Sequence, residues 1–85
     1  MSRHVIHEDD RIKAYKGEDP MVGSYIQIFD ALFIDETPEG EGLVFSVSQV
    51  NGVEVNLTGI SVKNSFDYHQ VVTDYIVQNN MMDSE

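Results

Sequence analysis

Apolar and polar residues alternate most plainly between residues 43 and 58. In LVFSVSQV, Leu43, Phe45 and Val47 alternate with Val44, Ser46 and Ser48. In VEVNLT, Val53, Val55 and Leu57 alternate with Glu54, Asn56 and Thr58. A period of two turns one set toward a core and the other toward water. Asn51-Gly52 between the runs is a strong hairpin signal. A two-residue loop would set Val47 against Asn56, opposing apolar and polar faces. A three-residue loop with Gly52 left-handed in a bulge pairs Val47 with Val55 and Phe45 with Leu57. That second register gathers the large apolar residues on one face and is the one expected. Beyond Thr58, Gly59 shifts the parity, so that Ile60 and Val62 take over the inward positions.

The stretch SYIQIFDALFIDE, residues 24 to 36, satisfies two periods. As a helix, Tyr25, Ile28, Phe29, Leu32 and Phe33 share one stripe, and Ser24 with Gln27 imitates a capping box. As a strand, Tyr25, Ile26, Ile28, Phe29, Phe33 and Ile34 suit a pleated surface. The turn-forming TPEGEG at residues 37 to 42 precedes a clear strand, so a strand on both sides of it is the simpler reading, with a bulge or break near Ala31. The first twenty residues read as an arm. His4 to Ile6 and Arg11 to Tyr15 can each form a short strand, and Lys16-Gly17-Glu18-Asp19-Pro20 interrupts the chain with turn chemistry.

A helix closes the sequence. Asn64 or Ser65 can cap it, Asp67 suits its first turn, and Tyr68, Val71, Val72, Tyr75 and Ile76 form one apolar stripe. Asn79-Asn80 marks a stop before MMDSE. The predicted fold is therefore α+β: a small antiparallel β-meander of three to four strands with one C-terminal α-helix packed on it. Residues 1–20 form a partly flexible arm, residues 21–80 a single domain, and residues 81–85 a disordered tail.

Length and composition narrow the function. A domain of 85 residues buries little more than about 60% of its unfolded surface, so its core is thin and self-association would help it. There is no cysteine, which removes disulfides, thiolate zinc sites and thiol nucleophiles. MSRHVIHEDD has no apolar signal core, and no apolar run reaches the roughly 20 residues of a membrane helix. A soluble, cytoplasmic protein is expected, and the sequon Asn56-Leu57-Thr58 is read as chance.

Charge is the unusual feature. Fifteen acids face five Lys and Arg, a formal −10. Residues 1 to 16 carry Arg3, Arg11, Lys13 and Lys16 against Glu8, Asp9 and Asp10. Residues 17 to 85 carry twelve acids and only Lys63. Such a body disfavours nucleic-acid phosphates and anionic membranes, because affinity for both rests on Lys and Arg. A basic protein is its natural complement.

Catalytic chemistry finds little support. His4 and His7 beside Glu8, Asp9 and Asp10 are the one metal-like cluster, but in an arm nothing fixes their geometry. His69 reads as a surface residue, no serine sits in a nucleophile elbow, and Glu39-Gly40-Glu41-Gly42 lacks the spacing and lysine of a phosphate loop. No enzyme activity, cofactor or metal is expected. The carboxylates remain, either as solubilising charge or as a binding surface built from Asp30, Asp35, Glu36, Glu39, Glu41, Glu54, Asp67 and Asp74. Duplex DNA presents one negative charge per roughly 1.7 Å of axis; carboxylates at comparable density on a rigid sheet or dimer can occupy a basic groove.

In length, charge and absence of a catalytic motif, the chain resembles the small acidic proteins with which bacteriophages disable host factors, including DNA mimics that block nucleoid-associated proteins. The resemblance lies in overall character, and no residue carries over from it. It implies an inhibitor of a basic DNA-binding partner, acting in the host cytoplasm; the thin core separately favours a homodimer. The alternative is a structural or assembly module that pairs through a sheet edge, its acidity serving solubility only.

Overall fold

In the computed structural model, residues 2–36, 40–62 and 67–83 are described, the side chains of residues 2, 36, 68 and 79–83 excepted. Five strands run in chain order as one antiparallel meander: β1 (Ser2–Glu8), β2 (Ile12–Asp19), β3 (Gly23–Asp30), β4 (Leu43–Ser48) and β5 (Gly52–Asn56). A single α-helix, α1 (Tyr68–Asp83), follows. The α+β class stands as expected, with five strands rather than three to four. The added strands come from the segment read as an arm. Ile12 and Ala14 are buried while Lys13 and Tyr15, which alternate with them, are not, and β2 lies between β1 and β3. Two aspartates set the tight connections. Asp9 Oδ1 accepts the N–H groups of Arg11 (2.8 Å) and Ile12 (2.7 Å), and Asp19 Oδ1 accepts that of Met21 (2.7 Å). Their short side chains stand in for backbone acceptors and hold each turn closed.

The ambiguous stretch divides at Asp30. Residues 23–30 are strand, and Ala31–Glu36 form a short 3₁₀ helix, so the expected break near Ala31 is where one conformation yields to the other. Backbone bonds fix the junction: Asp30 N–H donates to the Gly42 carbonyl at 2.8 Å, and Ala31 N–H to the Arg11 carbonyl at 2.9 Å. Gly42 is required there. Its φ is +80°, and a Cβ would lie 2.6 Å from the Asp30 carbonyl oxygen.

The hairpin from β4 to β5 departs from the expected register. Gly52 is left-handed (φ +74°) and the loop is three residues long, as anticipated, but the loop is residues 49–51 and Gly52 pairs with Ser48 instead of lying within it. Val47 nevertheless faces Val53 rather than Val55, and Phe45 faces Asn56 rather than Leu57. The slip begins at the loop, which sets Ser48 against Gly52 and Val47 two positions short of Val55; an irregularity between Ser46 and Val47, opposite Glu54, then recovers one of those positions. Leu57 lies past the end of β5 and is 53% exposed, although its N–H still donates to the Val44 carbonyl at 2.8 Å. A second irregularity, between β3 and β4, inserts Val44 into the alternation, because Ile28 pairs with Phe45 but Phe29 with Leu43. One extra residue reverses parity. Val44 and Phe45 both enter the core, and Leu43 turns to the opposite face. An alternation count along LVFSVS alone assigns Leu43 and Val44 the wrong way round.

The sheet thus has two unlike faces. On one, Ala14, Ile28 and Phe45 stand in a cross-strand row beside Ile26 and Val47, and α1 covers them with Val71, Val72 and Tyr75. Ile60 closes this core, with Val62 and Ile76 packed against it, as the sequence pattern indicates. Among the described residues, eleven buried apolar side chains make up the cluster, a small core for a single sheet-and-helix layer pair. Asp67 is the helix cap: its carbonyl accepts the Val71 N–H at 2.9 Å and its Oδ1 the Gln70 N–H at 3.2 Å. The expected caps, Asn64 and Ser65, lie outside the described residues. The helix continues past Asn79-Asn80 to Asp83, so the expected stop and the start of the expected tail are helical.

Candidate binding surface

Asp30, nominated above for an acidic surface, is interior. Its side chain is fully buried and belongs to a polar cluster that joins three parts of the chain. Arg11 Nε donates to Asp30 Oδ1 (3.0 Å) and Oδ2 (3.2 Å), and Arg11 Nη2 to Oδ2 (3.0 Å). Leu32 N–H donates to Oδ1 at 2.9 Å and the Tyr75 hydroxyl to Oδ2 at 2.5 Å. The sequence contains the reason. Asp30 pairs with Ile12, which puts its side chain on the helix-covered face, and Arg11 next to Ile12 is the nearest guanidinium. Burial opposes the ionised carboxyl, yet Arg11, Tyr75 and the Leu32 amide outweigh it and hold Asp30 below the usual carboxylate range. Burial, and then the Asp30 carboxylate, push the Tyr75 hydroxyl well above the usual phenol range. A carboxylate so fully engaged and a phenol so hard to ionise suit a clamp, not proton transfer.

The other nominated acids fall in separate places. Asp35 is exposed on the 3₁₀ helix, Glu41 is exposed before β4, and Glu54 is exposed at the β4–β5 irregularity. Asp67 is exposed at the helix start, where it also serves as cap, and Asp74 is half-buried and accepts a bond from the Gln70 amide at 2.8 Å. Glu36 lies on the 3₁₀ helix with its side chain outside the described residues, as is all of Glu39. Asp9, which was not nominated, is tied down by the turn. Bonds from the Ile12 and Arg11 amides, with His7 at 2.8 Å adding to them, lower its pKa to about 2. Some carboxylates thus build the fold, exposed Asp9 and Asp67 among them, while Asp35, Glu41 and Glu54 face water outside those contacts.

A feature the sequence reading missed is the face of the sheet away from α1. Strand pairing sets Arg3, Gly17, Tyr25 and Ser48 in one row, and Val5, Tyr15, Gln27 and Ser46 in the next. A third row holds Glu8, Lys13, Phe29 and Leu43. The Arg3 guanidinium carbon lies 3.8 Å from the Tyr15 ring centroid, and Lys13 Nζ lies 5.6 Å from it. Phe29 meets the same ring edge-on at 5.7 Å. Arg3 lowers the Tyr15 pKa most, burial opposes it, and Lys13 adds to the lowering. Lys13 also pairs with Glu8 at 3.3 Å.

Arg3 borders two shallow depressions on this face. One, of about 400 Å³, is shared with Lys13, Tyr15, Phe29 and Glu41. The other, of about 290 Å³, is shared with Asp19, Tyr25, Gln27 and Glu54 among others. Two nominated acids, Glu41 and Glu54, therefore stand at the rims of an aromatic floor. The signal in the sequence was the polar half of each alternation, Lys13 and Tyr15 in RIKAY and Tyr25, Gln27 and Phe29 in YIQIF. Reading residues 1–20 as an arm hides it, because the face exists only once β1 and β2 join the sheet.

Among the described residues no helix is long and apolar enough to cross a membrane, and no group of three or more His, Asp or Glu could hold a metal ion. The fold and surface define a small meander sheet with one helix-covered face and one open, mixed-charge aromatic face. No family model matches the sequence, and neither a curated protein nor a solved structure matches it.

Proposed function

We propose that this is a non-enzymatic acidic binding protein that engages, and thereby inhibits, a basic DNA-binding protein in the cytoplasm, in the manner of the phage-type DNA mimics it resembles. One observation supports this reading above others. Asp9, Asp19 and Asp30 are taken up by turns and by the interior clamp, whereas Asp35, Glu41 and Glu54 face water and lie outside those contacts. Charge that does not serve the fold in a chain of formal charge −10 is available for a cationic partner. Attraction of this kind accelerates encounter and weakens with salt. The test is capture from lysate on the immobilised protein with stepwise salt elution. A DNA-binding protein released at moderate salt, and released also by added duplex DNA, supports the proposal. Recovery only of salt-resistant, non-basic proteins overturns it.

The sheet edges favour a second reading. β1 and β5 each have one neighbour, and Val5 and Val53 on them are 50% and 55% exposed. Pairing of one such edge with a second copy would enlarge a thin core and form a homodimer. Sedimentation equilibrium at high salt separates the readings: a dimer that persists there is held by edge or apolar contacts, not by charge.

A further inference from the structure

The open face of the sheet has the composition of a receptor for a cationic side chain, and one already lies on it. Gly17 stands between Arg3 and Tyr25 in its cross-strand row and is itself buried, so its neighbours close over the middle of that row. Tyr25 faces Gly17 across the sheet, Tyr15 lies two residues along β2 on the same face, and the Arg3 guanidinium lies over the Tyr15 ring. A flat guanidinium stacks on such a ring better than a compact, strongly hydrated ammonium does. Three carboxylates, Asp19, Glu41 and Glu54, stand at the rims of the two depressions that Arg3 borders. Lys13, the other cation on the face, is paired with Glu8. With Arg3 moved aside, Asp19, Glu41 and Glu54 face only Lys13 across the half-buried rings of Tyr15, Tyr25 and Phe29.

We infer that this face is the docking site for arginine side chains of a basic protein partner, and that Arg3 holds the place which such a side chain takes on binding. The inference rests on the reading of the protein as a binder of basic partners, and it names the site. Arg3 is well placed for exchange. It lies on an edge strand and is exposed, so its side chain swings away without disturbing the ladder between β1 and β2. Exchange of one guanidinium for another conserves the stacking contact. The net gain then comes from the added charge and from whatever else the partner brings.

The experiment is a titration of the isotope-labelled full chain with three peptides of equal length: arginine-rich, lysine-rich and glutamate-rich. Chemical shifts of Tyr15, Tyr25, Gln27 and Phe29 report the open face, and those of Asp35, Asp67 and Asp74 report the rest of the acidic surface. The arginine peptide is expected to bind more tightly than the lysine peptide and to move the open-face signals. Arg3→Ala removes the competing guanidinium and should tighten the arginine peptide by about two- to fivefold, the range implied by an exposed cation–π contact. An unchanged urea midpoint confirms that Arg3→Ala folds, and shift mapping on the unsubstituted chain needs no variant. Shifts confined to Asp35, Asp67 and Asp74 overturn this site while leaving the basic-partner reading intact. Binding of the glutamate peptide to the open face, lost in Arg3→Ala, overturns it in the opposite sense. Failure of both cationic peptides to bind overturns the site and the proposed function together.

Discussion

Removal of Arg11 should destabilise the fold more than any other single surface-reaching substitution. In Arg11→Met the Asp30 carboxylate stays buried while three of its five described donor contacts disappear, leaving the Tyr75 hydroxyl and the Leu32 amide. Breaking a buried ion pair from one side costs about 3–5 kcal/mol, because the remaining charge is uncompensated. The Arg11 side chain is 27% exposed, so water reaches the vacated place and the lower end, about 3 kcal/mol, applies. Tyr75→Phe removes one bond to a charged acceptor and should cost about 1.5–3 kcal/mol. A domain of this length has about 4–13 kcal/mol in total, so Arg11→Met forfeits a substantial fraction.

Combining Arg11→Met with Asp30→Leu and Tyr75→Phe removes every polar member of the cluster and should recover much of the loss, since an apolar replacement of a whole buried pair is often neutral. The assay is urea unfolding followed by far-ultraviolet circular dichroism at neutral pH. An Arg11→Met variant within about 0.5 kcal/mol of the parent, a change typical of neutral surface positions, would refute the clamp. A triple variant less stable than Arg11→Met would show that the loss is one of packing and not of charge.

Acid should weaken the fold in a defined window. Asp9 has a pKa of about 2 against an ordinary 3.8, and Asp30 is also lowered. Between native and unfolded values the unfolded chain binds more protons, so the stability these groups supply is complete above about pH 4 and is lost as pH falls toward 2. Urea midpoints from pH 6 to 2 check this, and Asp9→Asn should flatten part of the fall. Gly42→Ala should cost about 1–3 kcal/mol by thermal melting, because its φ is +80° and the new Cβ meets the Asp30 carbonyl. Gly40→Ala, with φ +68° but nothing within 4 Å of its Cβ, should cost less. Asp67→Ala should lose about 0.5–2 kcal/mol as a missing helix cap, and Asp67→Asn should lose little.

The two ends of the chain show what can be read without a structure. The stripe Val71, Val72, Tyr75 and Ile76 needs only a 3.6-residue period to be recognised, and it does meet the sheet. The inward positions of Ile60 and Val62 and the left-handed Gly52 follow from equally local chemistry. Registers were a different matter. The one-residue irregularities at Val44 and Glu54 each reverse which side of the strand faces the core, and no periodic pattern announces them, because an extra residue preserves alternation on both sides of itself.

The candidate site was legible only as total charge. Composition fixes how many carboxylates the chain has and that few cations oppose them, since these are sums over residues. It does not say where each one goes. Asp30 looks like Asp35 in a linear reading, five positions apart in one acidic stretch. Pairing with Ile12 puts Asp30 on the covered face beside Arg11 and Tyr75, residues 19 and 45 positions away. The same folding of residues 2–19 into β1 and β2 brings Arg3 over Tyr15 and opens an aromatic face that the arm reading hid. Local propensity and periodicity act over a few residues and so survive in the sequence. Burial of a charge and the neighbours of a ring depend on strand pairing across the chain, and the tertiary structure alone decides them.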